Sequence, residues 1–150
     1  MDDQTRETVE SAIGYRFRDP SLLELALTHA STAESRVNSN ERMEFLGDAV
    51  LGLITVDLTF RRYPALLEGD MTKIKSHAVS RETCAKIAEN LGLDGYLILG
   101  KGMLNSGVLP SSLAAAALEA LIGAIYLDGG FDAAANFVRP LVEDIVERAA

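Results

Sequence analysis

Three carboxylates, Glu41, Glu44 and Asp48, fall within the stretch "SNERMEFLGDAVLGL" at residues 39–53. On a helix, positions i, i+3 and i+7 share a face, so the three acids would converge. Like charges held together raise one another's pKa unless a cation neutralises them. The neighbours Met43, Phe45, Leu46, Val50, Leu53 and Ile54 leave little of that helix for water. Clustered oxygen ligands in a partly buried place suit a hard divalent cation, Mg²⁺ or Mn²⁺. Such an ion activates a water molecule or stabilises phosphoryl oxygens. Spacing alone leaves a second reading open, a solvated acidic stripe with Arg42 as a counter-charge.

A fourth acid sharpens the choice. In "LAAAALEALIGAIYL" (113–127), Glu119 is the only charged residue. A lone carboxylate is costly to bury unpaired. Glu119 therefore lies on a narrow exposed edge or meets a cation.

Helices must position these groups. A short polar helix is expected over 3–12, followed by a turn, with Pro20 at the first position of the next helix. Apolar residues at 22, 23, 26 and 27 give "SLLELALTHAS" (21–31) a helical stripe. A polar loop at 32–40 leads to a long helix over 41–63, capped by Asn38, Ser39 or Asn40 and ended before Pro64. One or two helices fill 68–93, and a loop spans 94–112 with an extended piece at "YLIL" (96–99). An apolar helix over 112–127 is stopped by "LDGG", and a last one runs over 131–148, where Pro140 kinks or divides it. The fold class is all-α, and residues 1–150 read as one domain.

The totals bound the rest. At 150 residues and 48% apolar composition, the chain can bury roughly two-thirds of its unfolded surface. No apolar run approaches the ~20 residues that span a bilayer, so no membrane is expected. The acidic N-terminus does not read as a secretory signal, and the single Cys84 excludes an internal disulfide. A cytoplasmic location follows as the expectation. The net charge of −8 argues against non-specific binding to phosphate backbones.

The ordered combination of segments resembles the ribonuclease III family of double-stranded-RNA endonucleases. "NERMEFLGDAVLGL" (40–53) is similar to its signature segment, "IGYRFRDPSLLELALTHAS" (13–31) to its N-terminal one, "LEGDMTKIKSHAVSRETCAKIAENLGL" (67–93) to its central helices, and "LEALIGAIYLDGGFDAA" (118–134) to its last block. The resemblance implies a helical catalytic domain that pairs as a symmetric homodimer around duplex RNA. It implies Mg²⁺-dependent hydrolysis of the phosphodiester, with Mn²⁺ as a substitute, leaving 5′-phosphates, 3′-hydroxyls and two-nucleotide 3′ overhangs in rRNA or mRNA processing. By motif position, Glu44, Asp48 and Glu119 match the catalytic metal-binding acids. Glu41 and Glu68 match supporting acids, and Phe45 the aromatic that packs into the partner subunit.

One position departs from the pattern. The family has an Asp three residues before the late Glu, and here that residue is Ala116. A methyl group coordinates nothing, so the site is one carboxylate short. Ala116 is an engineered change, a tolerated natural one, or the mark of an inactive dimer that binds or scaffolds duplex RNA. The family's double-stranded-RNA-binding domain, which would offset the acidic charge, is expected after "VEDIVERAA". Within this chain Lys73, Lys75, Arg81 and Lys101, with Arg16 and Arg18, are candidates to line the RNA path, each against the plain reading of solvated surface charge. His29 reads as a structural hydrogen-bonding residue, Cys84 as a buried inert thiol, and His77 stays unassigned.

Overall fold

Pro20 opens a helix as its fixed φ predicts, and the Asp19 side chain caps it by accepting from the Ser21 N–H. The computed structural model describes residues 1–32, 36–104 and 110–150, and among these it has seven α-helices and three short 3-10 turns. The α-helices are α1 (Asp3–Ile13), α2 (Pro20–Ala26), α3 (Glu41–Arg62), α4 (Glu68–Ala78), α5 (Arg81–Asn90), α6 (Lys101–Leu104) and α7 (Ser111–Ala149). The expected all-α class is what the chain adopts. Parts of the two expected loops, 33–35 and 105–109, lie outside the described residues.

Several boundaries differ from expectation, each for a local reason. The helix expected over 21–31 stops at Ala26, because the next residues bond to the "YLIL" segment. The Ile98 N–H donates to the Leu27 carbonyl at 2.8 Å, and the His29 N–H donates to the Ile98 carbonyl at 2.9 Å. Thr28 and Ile98 form an isolated parallel bridge, so the extended piece is present, though no strand occurs among the described residues. The stretch 68–93 divides into α4 and α5, with the Ser80 hydroxyl accepting from the Thr83 N–H at the start of α5. At "LDGG" the expected break is present: Gly130, at φ 85 and ψ −176, separates α7 into two helical segments. That left-handed φ suits glycine. Pro140 does not divide the helix.

The core is built around α7. Its small buried residues Ala114, Ala115, Ala117, Ala120 and Ala124 let α3 and α5 press against it, which is what the alanine run is for. By length and apolarity α7 could cross a bilayer, but 61% of its most apolar window is buried inside this fold. On α3, Met43, Gly47, Val50 and Ile54 form a buried stripe facing α7. A second apolar stripe on α3 points outward: Phe45 is 83% exposed and Phe60 66%, with Leu53 and Val56 between them.

The N-terminal loop is tied to α7 by one carboxylate. Asp128 accepts from the Tyr15 hydroxyl at 2.6 Å and from the Arg18 and Asp19 N–H groups, both at 2.9 Å. Burial opposes its charge, yet these three donors hold the Asp128 carboxyl below its usual range. Burial and the bond to Asp128 push the Tyr15 phenol up to about 12.

Candidate active site

A glycine in mid-helix costs about 1 kcal/mol relative to alanine, so Gly47 and Gly123 need a reason. The reason is a crossing. A Cβ on Gly47 would overlap the Glu119 carbonyl oxygen, and one on Gly123 would sit 2.6 Å from the Met43 carbonyl oxygen. With no side chain at either position, α3 and α7 touch backbone to backbone there. Glu44 and Asp48 flank one glycine, and Glu119 lies one turn before the other, so the crossing brings all three acids together.

The acids line an open cavity of about 540 Å³ with Glu41, Phe45, Val79 and Arg81. Glu119 is buried, at 6% exposure, whereas Asp48 is exposed and Glu44 half-buried. Burial is the largest force pushing the Glu119 carboxyl up, to about 8. A hydrogen bond to Asp48 and the negative charges of Asp48 and Glu44 push the same way, against Arg81. Three acids at one crossing thus retain a proton near neutrality. The convergence expected from spacing is present, but Glu41 stands apart: Arg36 grips it through Nε at 3.0 Å and through Nη2 at 2.6 Å. That ion pair holds the Glu41 carboxyl below its usual range. Its counter-charge is Arg36 rather than Arg42.

Arg81 is the cation of the cavity. One guanidinium nitrogen stands 3.4 Å from Glu44 Oε1, and another 3.4 Å from the Ser112 carbonyl oxygen. Ala116, one turn beyond Ser112, is half-buried on the same helix. Among the described residues, no three acids stand ready to grip one ion as the side chains lie. Glu44, Asp48 and Glu119 are the groups that could take a cation, provided that Glu44 releases Arg81.

The other candidates fall outside this cavity. Glu68 opens α4, exposed, and accepts from the Thr72 hydroxyl at 2.8 Å. Lys73 and Lys75 are exposed on α4, the Lys75 stem lying over Gly52, and Lys101 is exposed at the start of α6. Arg16 and Arg18 lie exposed in the N-terminal loop near Asp128, at a different place from the acids. His29 hydrogen-bonds with Ser31 through Nδ1, as a structural residue would. His77 is exposed on α4. Cys84 is buried, and burial, with the charge of Glu119 after it, pushes its thiol up to about 12. What the acid pattern did not reveal was Gly47 and Gly123, whose only signal is glycine inside apolar helices.

A family model described as Ribonuclease-III-like matches residues 19–145. The chain belongs to the ribonuclease-III-like family. It is 52% identical to Ribonuclease 3 of Rhodopirellula baltica over 124 residues, which is 83% of this chain and 47% of that protein. It is 40% identical to Ribonuclease 3 of Bdellovibrio bacteriovorus over 152 aligned positions, 99% of this chain and 65% of that protein. The chain thus spans roughly half to two thirds of these curated relatives. A solved nuclease domain of ribonuclease III from Campylobacter jejuni superposes with a TM-score of 0.87 at 39% identity, covering 92% of this chain and 96% of that one. The ribonuclease III nuclease fold is therefore the frame in which the acids of α3 and α7 meet.

Proposed function

We propose that this ribonuclease III domain hydrolyses the phosphodiester backbone of double-stranded RNA, as a homodimer and with a divalent cation. The observation that carries the reading is the glycine crossing, which buries Glu119 beside Asp48 and Glu44, so that its carboxyl keeps a proton up to about pH 8. Such strain in a cluster of oxygen ligands is relieved by Mg²⁺ or Mn²⁺. Glu44, Asp48 and Glu119 would hold the ion, which when bound supplies charge neutralisation and activation of water for attack at phosphorus, leaving 5′-phosphate and 3′-hydroxyl ends. Glu41, tied to Arg36, supports the rim. The open mouth of the cavity admits a backbone phosphate. Arg81 faces it with the positive charge that a phosphate attracts, and gives Glu44 a partner until a cation arrives.

Self-association is supported by the outward stripe of α3. Phe45, Leu53, Val56 and Phe60 form an apolar band that water does not favour, and it begins at the mouth of the acid cavity. Two copies meeting through it would bring two acid clusters to one RNA. The C. jejuni nuclease domain was solved in a study of a region involved in its dimer formation.

Ala116 favours a second reading, an inactive dimer that holds or scaffolds duplex RNA without cutting it. One experiment separates the two. A long duplex RNA is incubated with the chain in Mg²⁺ or Mn²⁺, beside the variants Asp48→Asn and Glu119→Gln. Cutting into short 5′-phosphorylated pieces that both variants abolish supports the nuclease. Retention without products, with cutting gained by Ala116→Asp, supports the scaffold.

A further inference from the structure

The far end of α3 carries a second cleft with the opposite charge. Arg61 and Arg62 from α3 and Arg139 from α7 line an opening of about 540 Å³, with Leu58 and Phe131 as its apolar wall and Asp57 beside them. Three guanidinium groups at one place are unusual for a chain of net charge −8. Two of them have counter-ions: Arg61 Nε lies 2.9 Å from Asp57 Oδ1, and Arg62 Nη2 lies 3.6 Å from Glu143 Oε1. Arg139 makes no ion pair among the described residues, although it is only half-exposed. The three arginines and two acids leave a surplus positive charge there.

We infer that this cleft is a phosphate-binding subsite. A guanidinium presents a planar fork of donors that matches phosphate oxygens, and it carries its charge at every physiological pH. Three forks reaching from two helices suit the tetrahedrally spread oxygens of a phosphate better than the two coplanar ones of a carboxylate. Phe131 gives a flat apolar surface against which a base or a guanidinium can stack. Arg62 lies fourteen residues beyond Asp48, close to four turns, so it shares that side of α3 at a distance of about 20 Å. A ligand phosphate there comes from an extended nucleic-acid backbone or from a free phosphate.

The test uses the intact chain and does not depend on the nuclease reading. Inorganic phosphate is titrated at constant ionic strength while the arginine Nε–H resonances are followed by NMR, with acetate as the control anion. Saturable shifts of Arg61, Arg62 and Arg139, absent with acetate, are expected, and those of Arg61 and Arg62 are lost in Arg139→Gln. In parallel, affinity for a duplex RNA is measured in Ca²⁺ for the wild type, Arg139→Gln and the double variant Arg61→Gln/Arg62→Gln. If the backbone is the source, each variant weakens duplex binding roughly tenfold and lowers the slope of log affinity against log salt by about 1. If phosphate binds but duplex affinity is unchanged, the subsite stands and takes a free phosphate. If phosphate gives no saturable shift, or acetate gives an equal one, the subsite is overturned. A wild type that fails to hold duplex RNA at all counts against the proposed function and leaves the phosphate titration to decide this one.

Discussion

Two acids on α7, nine residues apart, live in opposite surroundings. Asp128 is met by three donors, and they hold it charged below its usual range. Glu119 is buried, has Asp48 and Glu44 for neighbours, and is pushed up to about 8. The first is a finished structural joint between the N-terminal loop and the core. The second is an unfinished one, stable only with a proton or another cation. A carboxylate marks a site where it is both buried and left without donors, as Glu119 is and the half-exposed Asp128 is not.

The contrast can be broken most severely at the crossing. Gly47→Ala forces a methyl group into the Glu119 backbone and should cost about 3 kcal/mol or more, read as a lowered thermal midpoint or loss of soluble protein. An unchanged midpoint would mean that the helices do not cross as described. Glu119→Gln should lower duplex-RNA cleavage at least about 100-fold, beyond the 10–100-fold typical of groups outside the ligand set. The same substitution sharpens the comparison through pH. With the folded carboxyl raised from its ordinary 4.5 to about 8, the native state binds more protons than the unfolded one in that window. Stability in a chelator should thus fall as pH rises from about 5 to about 8, and Glu119→Gln should flatten the dependence.

Asp128→Asn addresses the opposite member of the pair. It weakens charge-assisted bonds to Tyr15, Arg18 and Asp19, and should cost about 2 kcal/mol in denaturant unfolding while sparing cleavage per folded molecule. A specific loss of cleavage at unchanged stability would contradict its structural role. The smallest expected effect is at Ala116. Adding a carboxylate by Ala116→Asp should tighten Mn²⁺ binding about tenfold by calorimetry, since one more negative charge then faces the ion. No change would show that residue 116 does not face it.

Much of the fold was legible because helical signals are local. The Pro20 start, the long α3, the break at "LDGG" and the extended piece at 96–99 all follow from nearby residues. The misses were of another kind. The helix over 21–31 ended early because Leu27 and His29 bond to a segment seventy residues away, and Pro140 sits inside a helix that its packing holds together.

Local residue pattern alone shows which acids share a face of α3, that Glu119 is alone among apolar neighbours, and that residue 116 offers no ligand. Those follow from residue type and the 3.6-residue period. Only the tertiary structure decided that Glu119 meets Asp48, that Arg36 rather than Arg42 holds Glu41, and that Arg81 faces Glu44 while Lys73, Lys75 and Lys101 lie away from the cavity. The physical reason is that the meeting of Glu119 with Asp48 depends on how closely α3 and α7 approach. That distance is set by two side chains that are missing, at Gly47 and Gly123, and an absent Cβ acts only when another backbone arrives to use the space.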